Sequence, residues 1–259
     1  MSSFAYDDAF RRNLGWVTVA EQAALRGKRV AIAGLGGVGG AHLLTLTRLG
    51  IGAFHIMVVG DDERRETTSS LLERRYAWRG YSVEPMREAI QGRITLSACT
   101  ADTTIATITA NVDDGDGLAI AELYPEEVET LRDAGRKLCE FTRLAVDDAV
   151  RSQTVLGAIF HVACIYVIDL HRCSDVLIEV NPRHVRFYER MLGFERIGEE
   201  RLDPRVAAPA VLLRLDLEHC ASEITRLGGL RRSARERSFY PFFFDAGEAA
   251  NIFRRLCGQ

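Results

Sequence analysis

Asp-Val-Leu-Ile-Glu-Val-Asn-Pro-Arg-His-Val-Arg-Phe-Tyr-Glu-Arg-Met-Leu-Gly-Phe, residues 175–194, is the stretch that decides the fold. Its apolar run at 176–180 reads as a short buried strand. Asn181 and Pro182 stop that strand and start a helix. The Asn side-chain oxygen can accept an otherwise unpaired backbone N–H, and Pro fits the first helical position, where no N–H is required. Val185, Phe187, Tyr188, Met191 and Leu192 recur at spacings that give one apolar helical face. Gly193 can take the left-handed conformation that ends a helix, and Phe194 opens another extended run. Arg183, His184 and Arg186 sit in the first helical turn, where positive groups oppose the helix dipole. That placement points to an anionic neighbour, either a protein carboxylate or a ligand phosphate, with plain solvation as the simpler account.

Outward from this stretch, composition bounds the answer. The chain has 259 residues, 47% hydrophobic, enough for one or two domains with a sizeable core. A net charge of −3 excludes a chain built as a whole for nucleic acid. Six Cys lie at positions 99, 139, 164, 173, 220 and 257 without a Cys-x-x-Cys pair. They read as reduced thiols of a cytoplasmic protein. No leading basic and apolar segment marks a signal peptide, and no apolar run of about 18 residues is expected to cross a membrane.

Several further elements can be read from pattern. Residues 61–76 form a charged amphipathic helix, followed by Arg74-Arg75-Tyr76-Ala77-Trp78-Arg79-Gly80-Tyr81. Residues 93–99 and 103–112 alternate and are rich in Thr and Ile, which predicts a hairpin. The acidic turn at 113–117 lacks the ligand spacing of a calcium loop, so no metal is assigned. Residues 118–136 carry a helical run, and 137–147 reads as a strand. Simple alternation puts Glu140, Thr142 and Leu144 on one face of that strand and Phe141, Arg143 and Ala145 on the other. Residues 150–170 predict a long apolar helix. His161 and His171 on it have no metal-ligand partner at a suitable spacing. A last strand covers 211–217, joined to the earlier helix by 196–205. Arg226, Arg231, Arg232, Arg235 and Arg237 make the densest basic run, either a solvated tail helix or a dock for an acidic partner. Phe239-Tyr240-Pro241-Phe242-Phe243-Phe244 is too aromatic for water and either covers the core or lines a channel.

Residues 6–56 carry a separate message. A strand at 29–33 leads into Gly34-Leu35-Gly36-Gly37-Val38-Gly39-Gly40, a helical run and a second strand from Ala53. This is half of a Rossmann-like nucleotide-binding βαβ unit, with glycines that let the backbone approach phosphates. With Phe10-Arg11-Arg12-Asn13-Leu14-Gly15-Trp16 before it, the segment resembles the start of ThiF-type adenylyltransferases. There Gly34, Gly36, Gly37 and Gly39 would hold ATP, and Arg11 or Arg12 would reach its phosphates. The later Asn-x-x-Arg-Gln segment, the Lys and the zinc cysteines of that family are absent. The segment is therefore read as a truncated remnant, with ATP a minor possibility.

The order strand, Asn-capped helix with a Tyr, Gly-Phe stop and strand resembles the last part of the acetyl-CoA-dependent N-acyltransferase (GNAT) fold. Glu140-Phe141-Thr142-Arg143 resembles the Glu-x-Ser-Arg segment of acyl-homoserine-lactone synthases. Taken with residues 75–81 and 179–184, the pattern is similar to the long-chain N-acyl amino acid synthases over roughly 61–230.

The resemblance implies an α/β (α+β) chain: a GNAT-like mixed central sheet flanked by helices, preceded by the partial Rossmann-like unit. It divides into 1–56, an acyltransferase domain at 57–230 and a basic, aromatic extension at 231–259. A bulge in the central strand is expected to splay two strands into a slot for a pantetheine arm. The implied activity moves a long fatty acyl group from acyl carrier protein or CoA to the amine of an amino acid. The co-substrate is acyl-phosphopantetheine, with no tightly bound cofactor.

Glu140 would take the amine proton, and Tyr188 would protonate the leaving thiolate. The plainer account of Tyr188 is a core aromatic. Arg79 or Arg143 would hold the acceptor carboxylate, with Trp78 and Tyr81 as walls, or those two rings pack under the loop while Arg79 is solvated. Ser152, Gln153, Asn181 and Arg183 would meet the donor. Ser152 also suits an ordinary helix cap, and the double-glycine loop expected before this helix for CoA is missing. An ATP-dependent adenylyltransferase and a non-catalytic module that binds acyl carrier protein are the rival readings.

Overall fold

The computed structural model describes residues 55–60, 62–77, 92–100, 103–114, 117–147, 153–230 and 236–257. The glycine loop at 34–40, Trp78, Arg79, Tyr81 and Ser152 lie outside the described residues, as does most of the 1–56 segment. Eight strands follow in order: β1 (His55–Val58), β2 (Arg93–Thr100), β3 (Thr103–Val112), β4 (Leu138–Val146), β5 (Asp175–Val180), β6 (Glu195–Arg196), β7 (Arg201–Asp203) and β8 (Ala208–Asp216). The helices are α1 (Asp62–Ala77), α2 (Pro125–Asp133), α3 (Gln153–Ile165), α4 (Val185–Leu192), α5 (Leu217–Leu227) and α6 (Ala246–Cys257).

The sheet runs β1-β2-β3-β4-β5-β8-β6, with β7 also on β8. β3 and β4 are antiparallel, β4 and β5 parallel, β5 and β8 antiparallel. The parallel pair requires a long crossover, and α3 supplies it. The result is a mixed, mostly antiparallel sheet flanked by helices, as the resemblance to the GNAT fold implies.

Local signals account for the elements nearest the site. Asn181 accepts from the Arg183 N–H at 3.3 Å, as a cap should. The chain then makes a 3-10 turn, Pro182–His184, before the α-helical geometry of α4 begins. Gly193 ends α4 at φ +80°. Leu118, Ile120, Tyr124, Val128, Leu138, Leu177 and Leu212 form a core cluster beneath α2, and Leu71, Leu72 and Ala145 pack under α1. Full burial of one such side chain is worth roughly 1.5–3 kcal/mol, so these clusters fix the sheet against its helices.

Two expectations are corrected. The link at 196–205 is not a plain connection: β6 and β7 form within it and pair with β8. Residues 153–170 do make a helix long and apolar enough to cross a bilayer, against the expectation of no such run. It is a core element instead, since 67% of that span is buried inside the protein. Its last turn, Tyr166–Leu170, widens to a π-helix.

Candidate functional site

The site begins where β4 and β5 part. Their ladder pairs Leu138 with Asp175, Cys139 with Val176 and Glu140 with Leu177, then stops. On its other edge β4 carries a bulge. Thr107 pairs with Ala145 while Thr109 pairs with Thr142, so β4 spends one residue more than β3 over this interval. Arg143 lies in the bulge at φ +52°. A non-glycine residue in that region costs roughly 1–2 kcal/mol, and such strain clusters at working sites. The bulge bends β4, and the GNAT resemblance leads one to expect a bend at this point.

Beyond the last paired residues a cavity of about 550 Å³ opens. Residues 141–146 of β4 and 178–180 of β5 line it, with His184, Phe187 and Tyr188 near and on α4. Arg75 and Tyr76 at the end of α1 and residues 208–210 of β8 complete its rim, and Ile108 and Phe160 form an apolar floor. That volume is within the usual range for a small-molecule site.

Three acids cluster near it, Glu140 and Asp203 buried and Glu179 half-buried, and the one singled out from sequence is not in the wall. Glu140 is 2% exposed. Its Oε1 accepts from Asn111 Nδ2 at 3.1 Å and the Ala119 N–H at 3.2 Å, and its Oε2 accepts from the Ile120 N–H at 3.1 Å. The carboxylate therefore clamps the 118–120 turn. Glu179, on the next strand, does line the cavity. Its Oε2 accepts from Arg205 Nη2, while its Oε1 is buried with no hydrogen-bond partner among the described residues. Burial pushes the Glu179 carboxyl up to about 7; Arg205 works against the rise, and Asp203 and Glu140 add to it. The third acid, Asp203, also lines the cavity, and its two oxygens accept from Arg205 Nε at 2.9 Å and Nη2 at 3.0 Å. Arg205 Nη1 donates to the Ala119 carbonyl at 3.2 Å. A continuous chain thus runs from Glu140 through Ala119 and Arg205 to Glu179.

Tyr188 lies in the cavity wall opposite this acid network in sequence, on α4 rather than on a strand. Burial pushes its phenol well above the ordinary range, with the Tyr76 phenol adding to the rise, so it carries its proton at neutral pH. The Tyr76 hydroxyl donates to the Leu144 carbonyl at 3.1 Å, tying α1 to the bulged part of β4. Arg143 and Asn181 line the same cavity. Asn181 is held by a second bond, from its Nδ2 to the Pro209 carbonyl at 3.3 Å.

The donor residues named from sequence separate. Arg183 is exposed, donates from Nε to His184 Nε2 at 3.1 Å and is not in the wall. Gln153, at the start of α3, faces a second, open basin with Arg186, Glu189, Arg190, Met191, Glu236 and Arg237. Phe187 lines both hollows. Arg226, from the basic run, is paired with Glu223 and Glu236.

Sequence reasoning therefore reached Tyr188, Arg143 and Asn181 but missed Glu179, Arg205, Arg75 and Tyr76. A signal for Glu179 was available: it is the one acid within the apolar run 176–180, next to the Asn-Pro break. Arg205 gave no such signal, because apart from Asp203 two residues before it, the partners that bring it to the cavity are 26 and 86 residues away in the chain.

The sequence profile of the family described as N-acyl amino acid synthase FeeM matches residues 67–216. No curated protein sequence matches significantly. Among solved structures, the chain resembles FeeM, an N-acyl amino acid synthase from uncultured soil microbes. The TM-score is 0.59 and the identity 24%, over 66% of this chain and 93% of that one. Escherichia coli ElaA aligns with a TM-score of 0.48 and 10% identity, over 63% and 99% of the two chains. The acyl-homoserine-lactone (AHL) synthase LasI aligns with a TM-score of 0.44 and 13% identity, over 64% and 90%.

Proposed function

This chain belongs to the FeeM family of N-acyl amino acid synthases, whose profile spans more than half of it, and is a GNAT-fold acyltransferase; from that premise we propose that it moves a long fatty acyl group from a phosphopantetheine thioester to the amine of an amino acid. The observation that carries the reading is the parting of β4 and β5 at the Arg143 bulge, with Glu179 and Tyr188 in the wall of the one cavity that results.

In this mechanism the acyl-pantetheine arm lies in the slot between the parted strands. The acceptor amine must be neutral to attack. Glu179, pushed up to about 7, is matched to take its proton at physiological pH. The amine nitrogen bonds to the thioester carbon, and the oxyanion that forms is stabilised by backbone N–H groups on the open edge of β4. The C–S bond then breaks, and Tyr188, protonated at neutral pH, gives its proton to the thiolate. Arg143 and Arg75 suit the acceptor carboxylate as cationic wall groups, and Arg79 with Trp78 and Tyr81 remains the expectation for the loop after α1.

Glu140 takes a different role from the one its sequence context suggests. Three donors already occupy it, and it stands behind the wall. It acts by fixing Ala119, whose carbonyl holds Arg205 against Glu179. On the donor side, Gln153, Arg186, Arg190 and Arg237 around the open basin support a phosphate or an acidic carrier protein arriving there, with Asn181 at the slot and Ser152 beside Gln153. We read residues 1–56 as a truncated ThiF-like segment fused to an acyltransferase domain at 57–230 with a 231–259 extension, working in the cytoplasm.

The test is a turnover assay. The protein is mixed with long-chain acyl carrier protein, or with acyl-CoA, and single amino acids, and N-acyl products are sought by mass. Absence of product with every donor overturns the reading.

A further inference from the structure

The aromatic run at 239–244 does more than fill the core. Phe239 is 1% exposed and does not line the cavity. Its ring stacks on Phe160, with centroids 6.2 Å apart, and meets Phe187 edge-on at 5.7 Å. Phe160 and Phe187 are both in the cavity wall. Phe239 therefore stands directly behind two of the rings that an apolar ligand would touch.

That backing is fixed on several sides. The Phe239 N–H donates to the Met191 carbonyl at 2.9 Å, and the Tyr240 hydroxyl donates to the Leu192 carbonyl at 2.7 Å, both at the end of α4. The Phe244 N–H donates to His161 Nδ1 at 2.9 Å, on α3. The Gly229 N–H donates to the Phe243 carbonyl at 2.8 Å. Gly157 of α3 lets the run approach closely, since a Cβ there would lie 2.7 Å from Phe242 Cβ. All of these aromatics come after residue 216, where the family match ends.

Resting on the reading that the cavity takes an acyl chain, we propose that Phe239 is the end stop that sets the length of chain accepted. An aliphatic tail passing Ile178 and Ile108 meets the Phe160 ring. Phe160 cannot retreat, because Phe239 fills the space behind it and packed interiors do not compress. Each methylene that finds room tightens binding about fourfold. The first that does not forces side chains off their preferred positions and stops the gain.

The experiment measures binding of S-acyl-pantetheine thioesters with chains of six to eighteen carbons to the intact protein, by displacement of a fluorescent fatty-acid probe. The expected wild-type profile tightens with length and then levels at a limit. Phe239→Ala moves that limit at least two carbons further, and Phe239→Leu, which keeps most of the core volume, moves it in the same direction if the alanine variant fails to fold. Phe243→Leu serves as the control. That ring is equally buried but stacks on His161 and lies tilted against Tyr240 rather than meeting the cavity rings, so it leaves the limit where it was. A wild-type profile without a limit, a limit unmoved in Phe239→Leu, or the same movement in Phe243→Leu overturns the end stop. Length-limited binding that shifts in the variants while no transfer occurs keeps the stop and removes the transfer reading. Transfer with an unshifted profile does the reverse.

Discussion

β5 carries an acid near each end, Asp175 fully buried and Glu179 half-buried, and the fold treats the two in opposite ways. Asp175 stands where β4 and β5 are still paired. Burial works to raise its carboxyl, but hydrogen bonds from Arg136, Ser174 and Arg214 overcome that and hold it below the usual carboxylate range. Glu179, four residues on and on the same face, stands where the strands have parted. Among the described residues only Arg205 reaches it, shared with Asp203, and burial wins. Counting partners separates a carboxylate that holds the sheet together from one poised to accept a proton. The closed end of the strand pair has room for two guanidiniums, and the open end has a cavity instead.

The sharpest way to break this comparison is at its open end. Glu179→Gln is expected to lower kcat roughly 10²–10⁴-fold, the range for a lost general base. Thermal melting of the variant should be unchanged or slightly better, because a desolvated acid is removed. Wild-type turnover should climb as pH rises through about 7, since the base works deprotonated. A variant with wild-type kcat would remove Glu179 from the mechanism.

At the closed end, Asp175→Asn removes the fully buried anion between Arg136 and Arg214 and leaves them sharing only Asp216, whose side chain is partly exposed. Breaking a buried pair in this way costs about 3–5 kcal/mol, read as a lower urea midpoint, with turnover per folded molecule retained. The two ends also differ in sign against pH. The folded value of Asp175 is depressed, so its contribution is complete above the unfolded value near about 4 and is lost as pH falls through the folded value. Glu179 is raised, so its contribution is present below about 4.3 and is lost as pH rises towards 7. Stability curves of Asp175→Asn and Glu179→Gln should each flatten one of these two slopes and leave the other.

A smaller effect sharpens the role of Arg205. Arg205→Met removes the only cation holding Glu179 down among the described residues, so the acidic limb of kcat/KM should move up by about one pH unit. An unmoved limb would mean that the Arg205 bond is structural alone. The least effect is expected outside the cavity. Arg190→Ala should raise KM for an acidic acyl carrier a few-fold at low salt, with kcat unchanged and the difference fading as salt is added.

The strand–helix unit at 175–192 could be read from the chain because its signals are local. Asn181, Pro182 and Gly193 each act on the backbone within a few residues of themselves, and the expected cap and stop are found at those residues. The hairpin of β2 and β3 was legible for the same reason. β6 falls where Phe194 was expected to open an extended run, but β7 was not legible: it is too short for its own sequence to favour a strand and exists because β8 offers an edge to pair with. The span at 153–170 was legible as a long helix, while its place in the core was not. Its apolar character is real, but hydropathy alone does not say whether the surrounding medium is lipid or protein.

By itself the sequence determined the kind of molecule this is: most of the strands and helices, the tyrosine carried on the Asn-capped helix, and the family to which residues 67–216 belong. Each of those follows from periodicity or from motifs that span a few turns of chain. Only the tertiary structure decided which acid lines the cavity. Glu140 and Glu179 occupy the same face of neighbouring strands, and the one local difference, the Asn-Pro break beside Glu179, does not say which carboxylate is left without partners. Their roles separate because the ladder ends between them and because the backbone of a turn twenty residues away fills one carboxylate, while a single arginine, shared with Asp203, leaves the other half satisfied. Those contacts join distant parts of the chain, and they exist only once the whole sheet has formed.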